Sequence, residues 1–392
     1  MQHLAKREGV FLVLLDLSAA FDTVNHSALL NRLTSDSCIG GVVRKWFQCY
    51  LTGRSSRVSV NGTLSEPQPL SFGLPQGSLV GPLGFSMYTS PIRHIINKFG
   101  LSYHIYADDI QLYINFDPRN LSSITDALAR LTACSSEIKI WMTRNLLRLN
   151  DEKTEFFVAV SDYQKQNMPP VSLRIGDMEI LPTENVRNLG VIFDRQMTMT
   201  SHISSLCSSL NYQLRNISRV RRFLDVDTCH LVVRSLILSR IDYGSGLLLG
   251  SNTSDIQRLQ RIQNWASKLI CCRTKQDHAT PCLQELHWLR IRERIIFKIM
   301  MIIFKCLNGS APSYMTDLLS MYCPARTGLR SASDTTRLAE INSVKLLKTA
   351  TDRSFVHSAP HIWNNLPTSI RESNTFSGFK KGLKTYLFAA YE

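Results

Sequence analysis

Apolar and polar positions follow two different rhythms along the chain. Residues 10–15 form an unbroken apolar run closed by Asp16, the pattern of a buried central strand. Residues 21–33 then take helical spacing with Asp22 as N-cap, and a second helical pattern over residues 39–51 stops at Gly53. Residues 57–61 and 64–71 read as strands around an Asn61-Gly62 turn, and residues 79–97 return to helical spacing. Two short β-rich runs, residues 103–107 and 110–116, flank Asp108-Asp109 and predict a hairpin whose turn is two acids. A long amphipathic helix over residues 121–147 is followed by strands at 155–160, 171–175 and 188–193. The order strand, helix, hairpin, helix, strand predicts an α+β fold with a split β-α-β, ferredoxin-like sheet.

After Asp194 the period becomes helical and stays so. Residues 203–224, 228–249, 256–272 and 282–307 predict four helices with basic faces, and from residue 311 Pro, Ser and Thr return. Boundaries are therefore expected near 195 and 310, giving regions 1–195, 196–310 and 311–392.

Composition sharpens this division. The 392 residues are 44% hydrophobic and 19% charged, a globular composition too apolar for a mostly disordered chain. The formal charge is +14, and it is unevenly spread. Residues 1–199 hold 19 Lys/Arg against 18 Asp/Glu, residues 200–310 hold 16 against 7, and residues 311–392 hold 10 against 6. A near-neutral half thus precedes a basic one, which suits a polyanionic partner without naming it. The most apolar stretch of the second half, residues 295–307, is cut by Lys298 and Lys305, short of the roughly 18 residues a membrane span needs. Ten cysteines at irregular spacing, behind a polar N-terminus, favour reduced thiols in an intracellular protein. Among them Cys271, Cys272 and Cys282, with His278, lack the short Cys-x2-Cys clip of a zinc site and read as buried thiols. Trp265, Trp288 and Trp363 read as core.

The candidate chemistry is acidic. Asp16 closes a central strand and Asp108-Asp109 tips a hairpin, so three carboxylates would crowd the ends of adjacent strands. Such crowding is expensive unless divalent metal shares the charge, and paired Mg²⁺ ions on carboxylates are common machinery for phosphoryl transfer. Taken alone, the same residues also fit a helix cap and an acidic turn.

The surrounding sequence adds context. Residues 11–26, FLVLLDLSAAFDTVNH, resemble motif A of the reverse transcriptases of LINE-type (non-LTR) retrotransposons, especially their Jockey-like branch. Residues 73–85, GLPQGSLVGPLGF, are similar to motif B, and Tyr106-Ala107-Asp108-Asp109 to motif C. Residues 145–155, NLLRLNDEKTE, resemble motif D, and residues 188–194, NLGVIFD, motif E. Residues 309–319 and 358–371 (SAPHIWNNLPTSIR) resemble the C-terminal part of such elements. Gly84 departs from the family, whose members more often place Leu before Phe85, and a helical Gly costs roughly 1 kcal/mol against Ala. The chain begins just before motif A, so the resemblance is to an element truncated ahead of it, without the basic fingers motifs or an endonuclease.

The resemblance implies a right-hand polymerase palm, fingers largely missing, followed by a helical thumb-like region. It implies an RNA-directed DNA polymerase using two Mg²⁺ (or Mn²⁺) ions, an RNA template, a DNA primer or target and deoxynucleoside triphosphates, with no membrane. Asp16, Asp108 and Asp109, with the Leu17 carbonyl, match the metal ligands. Lys153 matches the motif D lysine, a general acid or charge stabiliser where a solvated lysine is the plainer reading. Phe21 matches the steric gate, although by itself it reads as core, and Gln76 and Gly77 match the nucleotide-binding turn. Ser78 fits that turn or a helix N-cap. Asn188, Leu189 and Gly190 match the primer grip. Arg215, Arg219, Arg221, Arg222, Arg258 and Arg261 are the candidate nucleic-acid contacts on the basic helices. The alternative is a catalytically inactive remnant that only binds nucleic acid.

Overall fold

A computed structural model describes residues 2–18, 20–323, 336–341 and 348–389, leaving Ala19 of the first motif and parts of the region after 323 outside the described residues. The chain divides into two compact units, Glu8–Val186 and Met1–Arg7 with Arg187–Glu392.

The first unit is organised by β1 (Gly9–Leu15), α1 (His26–Ser35), α2 (Gly41–Leu51), α3 (Gly81–Tyr88) and α4 (Ile92–Lys98). Then follow β2 (Ser102–Tyr106), β3 (Asp109–Phe116), α5 (Leu121–Arg144), β4 (Glu155–Ala159) and the short β5 (Pro182–Thr183). The sheet runs β5-β4-β1-β3-β2, with β1 antiparallel to both β3 and β4 and only β5 added in parallel. Without β5 this is the split β-α-β order that the succession of elements predicts. The apolar run of β1 is the central strand because both its edges are paired. Phe11, Val13 and Leu15 are fully buried, whereas Val10, Leu12 and Leu14 are half-buried. Phe11 stacks on Phe116 at 3.9 Å and lies 5.6 Å from Phe156, tying the three middle strands together.

Several elements differ from expectation for long-range reasons. Helix α1 starts at His26, capped by the Asn25 side chain accepting from Ala28 N at 2.9 Å, so Asp22 is not its cap. The preceding segment is occupied elsewhere: the Phe21 and Val24 carbonyls accept from Leu74 N (2.7 Å) and Gly73 N (2.8 Å). The expected helix over 79–97 is two helices, and Pro91, which has no amide hydrogen to donate, caps the second. Ser78 is not the cap of α3, a place taken by Val80. At Gly84 a Cβ would meet Leu74 Cδ1 at 3.4 Å, an ordinary van der Waals contact, so backbone packing does not require glycine there. The Asn61-Gly62 hairpin turn is present, both residues at positive φ (50° and 84°), between the pairs Ser59–Val60 and Thr63–Leu64.

The second unit is mostly helical: α6 (Thr200–Val220), α7 (Val226–Val233), α8 (Thr253–Ile270), α9 (Ile291–Leu307), α10 (Phe355–Asn364) and α11 (Phe376–Ala389). The helix expected over 228–249 continues α7 through a π-turn at Arg234–Leu238 to Asp242, then turns at Gly244 (φ 62°). That expected over 282–307 is interrupted by a turn with His287 at φ 52° before α9 begins. Helix α9 joins two cores, giving Ile291 and Ile295 to one and Ile299, Ile303 and Phe304 to the other. Trp288 and Trp363 are buried in different cores, and Trp265 packs partly buried on the one that holds Trp288, as expected. Among the described residues no helix is long and apolar enough to cross a membrane.

The central packing gives a direct test. Phe11→Ala should cost about 3–5 kcal/mol in denaturant unfolding followed by circular dichroism, and Val58→Ala, at an exposed position just before Ser59–Val60, within about 0.5 kcal/mol. Equal effects would contradict the central place of β1.

Candidate active site at the rim of the sheet

Strand register brings the acids together. Leu15 pairs with Ile110 as the last rung between β1 and β3, so Asp16 leaves the end of β1 beside Asp109, the first residue of β3. Tyr106 pairs with Asp109, leaving Ala107 and Asp108 as the hairpin turn. The turn is thus one acid and Ala107, which takes a left-handed φ of 54°, and not the two acids expected. Like charges at neighbouring strand ends repel. The consequence appears at Asp109, whose carboxyl is pushed above the usual range by burial first, then by the charges of Asp108 and Asp16.

The other side of Asp16 is framed by the segment that resembles motif D. Leu17–Ser18 pairs antiparallel with Arg148–Leu149, and Asn150 N donates to the Asp16 carbonyl at 2.8 Å. The Asn150 side-chain amide also donates to Asp16 Oδ2 at 3.3 Å. Lys153 Nζ stands 3.6 Å from that oxygen with its side chain 70% exposed, so the ion pair is weak. Leu17 is buried in its short strand. Asn150 was not singled out from the sequence; as an uncharged residue beside a lysine and two acids it carries no signal of its own.

A second group lies along the 73–78 loop. Gln76 Nε2 donates to Asp22 Oδ1 at 3.1 Å, which gives Asp22 a role outside the helix. Gly77 takes φ 81° with open space where a Cβ would be, so the loop presents bare backbone there. Tyr50 OH donates to Ser78 Oγ at 2.6 Å, anchoring the loop to α2. Phe21 is partly buried, its ring 4.9 Å from that of Phe85 on α3.

The segment expected as one strand over 188–193 is a hairpin. Asn185–Asn188 and Val191–Asp194 are its strands, with Leu189 and Gly190 at φ 45° and 82° in the turn. Tyr243 OH holds that turn by donating to the Leu189 carbonyl at 2.6 Å.

The six candidate arginines separate into two kinds. Arg221 donates to the carbonyls of Leu269 (2.8 Å), Leu224 (2.6 Å) and Ile270 (3.1 Å), closing the C-terminal end of α8. Arg258 Nη1 donates to Ser204 Oγ (2.9 Å) and to the buried Asp255 (3.2 Å). These two hold the fold. Arg215, Arg219, Arg222 and Arg261 are exposed, and Arg222 lies over the Phe223 ring at 4.7 Å.

Among the described residues no three His, Cys, Asp or Glu side chains close into a cage for a metal ion. The donors at the rim are nevertheless hard oxygens, and of the three neighbouring carboxylates only Asp16 is met by a lysine, itself exposed, so the charge balance suits a divalent cation. The cysteine group is mixed where buried thiols were expected: Cys282 is buried, Cys271 half-buried, and Cys272 and His278 exposed. Burial, then Cys282 and Glu285, pushes the Cys271 thiol up to about 12.

Residues 2–193 match the family model described as reverse transcriptase (RNA-dependent DNA polymerase). Over 307 residues the chain is 23% identical to the probable RNA-directed DNA polymerase from transposon BS of Drosophila melanogaster, covering 75% of this chain and 32% of that protein. Over 263 residues it is 24% identical to the probable RNA-directed DNA polymerase from transposon X-element of the same fly, covering 65% and 28%. Over 226 residues it is 27% identical to the RNA-directed DNA polymerase from mobile element jockey of Drosophila funebris, covering 56% and 23%. The match therefore spans less than a third of each of these curated relatives. Among solved structures, telomerase from Candida albicans in complex with a TWJ fragment of telomeric RNA aligns at 14% identity and a TM-score of 0.25. That alignment covers 74% of this chain and 47% of the telomerase chain and is too loose to bear on the fold.

Two outcomes follow from this geometry. A carboxyl group with a raised value favours its protonated form when folded, so its contribution is present at acid pH and lost as pH rises through that value. In EDTA, the melting temperature of Asp109→Asn should therefore gain on wild type between about pH 4 and neutrality. A constant difference across that range would show that burial and the neighbouring charges together do not raise Asp109. Arg221→Ala should lower stability by about 1–3 kcal/mol and Arg215→Ala by less than about 0.5 kcal/mol, both read by thermal unfolding.

Proposed function

We propose, from a chain whose residues 2–193 are a reverse transcriptase domain similar to those of LINE-type elements, that this protein is an RNA-directed DNA polymerase of that kind. The observation that carries the reading is the gathering of Asp16, just past the end of β1, with Asp109 at the start of β3 and Asp108 in the β2–β3 turn, close enough for the charges of Asp108 and Asp16 to act on Asp109. On this reading the split β-α-β sheet is a polymerase palm within residues 1–195. Residues 196–310 are a thumb-like region, and 311–392 are the C-terminal part of the element's product.

Asp16, Asp108 and Asp109, with the Leu17 carbonyl, would hold two Mg²⁺ or Mn²⁺ ions. Such ions supply activation of the primer 3′-OH and neutralise charge on the triphosphate. The primer oxygen bonds to the α-phosphorus of the incoming deoxynucleotide and pyrophosphate leaves. Asp22 orients the Gln76 amide beside the bare backbone at Gly77, where nucleotide and template can approach closely. Phe21, backed by Phe85, sets a flat wall that leaves no room for a 2′-hydroxyl. Lys153, beside Asp16, is placed to give a proton or a charge to the departing pyrophosphate. The Leu189-Gly190 turn holds the primer end, and Arg215, Arg219, Arg222 and Arg261 meet phosphates of an RNA template and DNA primer.

The purified chain should extend a DNA primer on an RNA template with deoxynucleotides and Mg²⁺. Asp108→Ala should reduce extension by at least about a hundredfold while leaving template binding intact. Phe21→Ala should raise ribonucleotide use relative to deoxynucleotide use. Equal extension by Asp108→Ala would overturn the site, and salt-sensitive RNA binding without extension by wild type would favour the binding-only remnant.

A further inference from the structure

A cavity of about 570 Å³ lies wholly within the unit Arg187–Glu392 and has no part in the reading above. Its walls are mainly apolar, set by Phe193, Ile299, Ile302, Met315, Leu318 and Phe355. The size falls within the range of small-molecule sites, which are mostly apolar with a few placed polar groups.

The polar groups are unevenly balanced. Asp242 is already gripped by Arg294, whose Nε and Nη2 donate to its two carboxylate oxygens at 2.9 and 2.6 Å. Lys298, on the cavity wall, donates to the Asp242 backbone carbonyl and stands 3.8 Å from Oδ1. Two cations therefore share one carboxylate. Burial lowers the Lys298 ammonium below its ordinary value, ahead of the opposing pull of Asp242. Arg353, the other cation at the wall, faces Asp194 and Asp352 and is balanced by them. The surplus positive charge sits at Lys298. Ser245, also on the wall, is 3% exposed, and its hydroxyl has no hydrogen-bond partner among the described residues.

We propose that this cavity binds a compact apolar anion, an aromatic or acyl carboxylate or sulfonate, with its body against Ile299, Ile302 and Phe355 and its acid group at Lys298. The ligand supplies what the site lacks: a negative charge for the second cation, and apolar surface for walls that otherwise face water. A nucleic-acid strand does not answer this description, because it brings many charges and no apolar body.

The test uses the full chain and 8-anilinonaphthalene-1-sulfonate as probe. One site of enhanced, blue-shifted fluorescence is expected, weakened by about tenfold in Lys298→Met. It should be lost in Ile302→Trp, which fills the cavity. Because exposed apolar residues elsewhere, such as Leu79 and Val42, also attract the dye, the unaltered chain provides the deciding comparison. Decanoate should displace the probe at least about tenfold better than 1-decanol, because only the acid meets Lys298. Equal displacement by the two, or unchanged binding by a folded Ile302→Trp, would overturn the proposal.

Discussion

Pairing Leu15 with Ile110 brings Asp16, just past the end of β1, beside Asp109 at the start of β3, and the repulsion between them sets the terms for the first unit. A one-residue slip would separate the two acids only by turning Phe11, Val13 and Leu15 out of the core. The apolar strand and the charged rim are therefore one feature. The aromatic cluster of Phe11, stacked on Phe116 and tilted against Phe156, holds the strands in the register that crowds the carboxylates. Stability is spent at the rim and recovered below it, a common arrangement where a site needs charge that the fold does not.

The parts of this arrangement that were legible in the sequence are those fixed by local pattern. The apolar run of β1, the Asn61-Gly62 turn and the amphipathic α5 each follow from a few neighbouring residues, and each is present. What was not legible depends on distant partners. Asp22 looked like a cap because it precedes a helical pattern; the backbone around it instead holds Gly73 and Leu74, some fifty residues on, and its side chain takes the Gln76 amide. The hairpin at Leu189-Gly190 was hidden inside an apolar run, since a leucine at positive φ is not a turn signal.

Charge shows the same limit. Counting basic residues located the second unit's excess correctly but did not separate cations that meet solvent from cations that close helix ends. Arg221 and Arg222 are adjacent in sequence; one is fixed on three carbonyls and the other lies exposed over Phe223. Asn150 marks the reverse error. It touches Asp16 through both backbone and side chain, yet its neighbours Asp151 and Lys153 draw the eye.

Lys153 joins these strands of argument. Sequence left it between a catalytic cation and a solvated lysine, and the geometry explains why both descriptions suit it. Its ammonium leans on Asp16 at 3.6 Å from a largely exposed position, a contact of at most about 1 kcal/mol. Under the proposed reading the lysine is a placeholder, partly neutralising Asp16 while cheap to displace. Once Asp16 is otherwise engaged, the same flexible side chain is free to turn toward negative charge leaving the site. A tightly buried pair could not do this, because breaking it would leave an uncompensated charge at a cost of about 3–5 kcal/mol. The weakness of the contact is therefore what makes a lysine there usable.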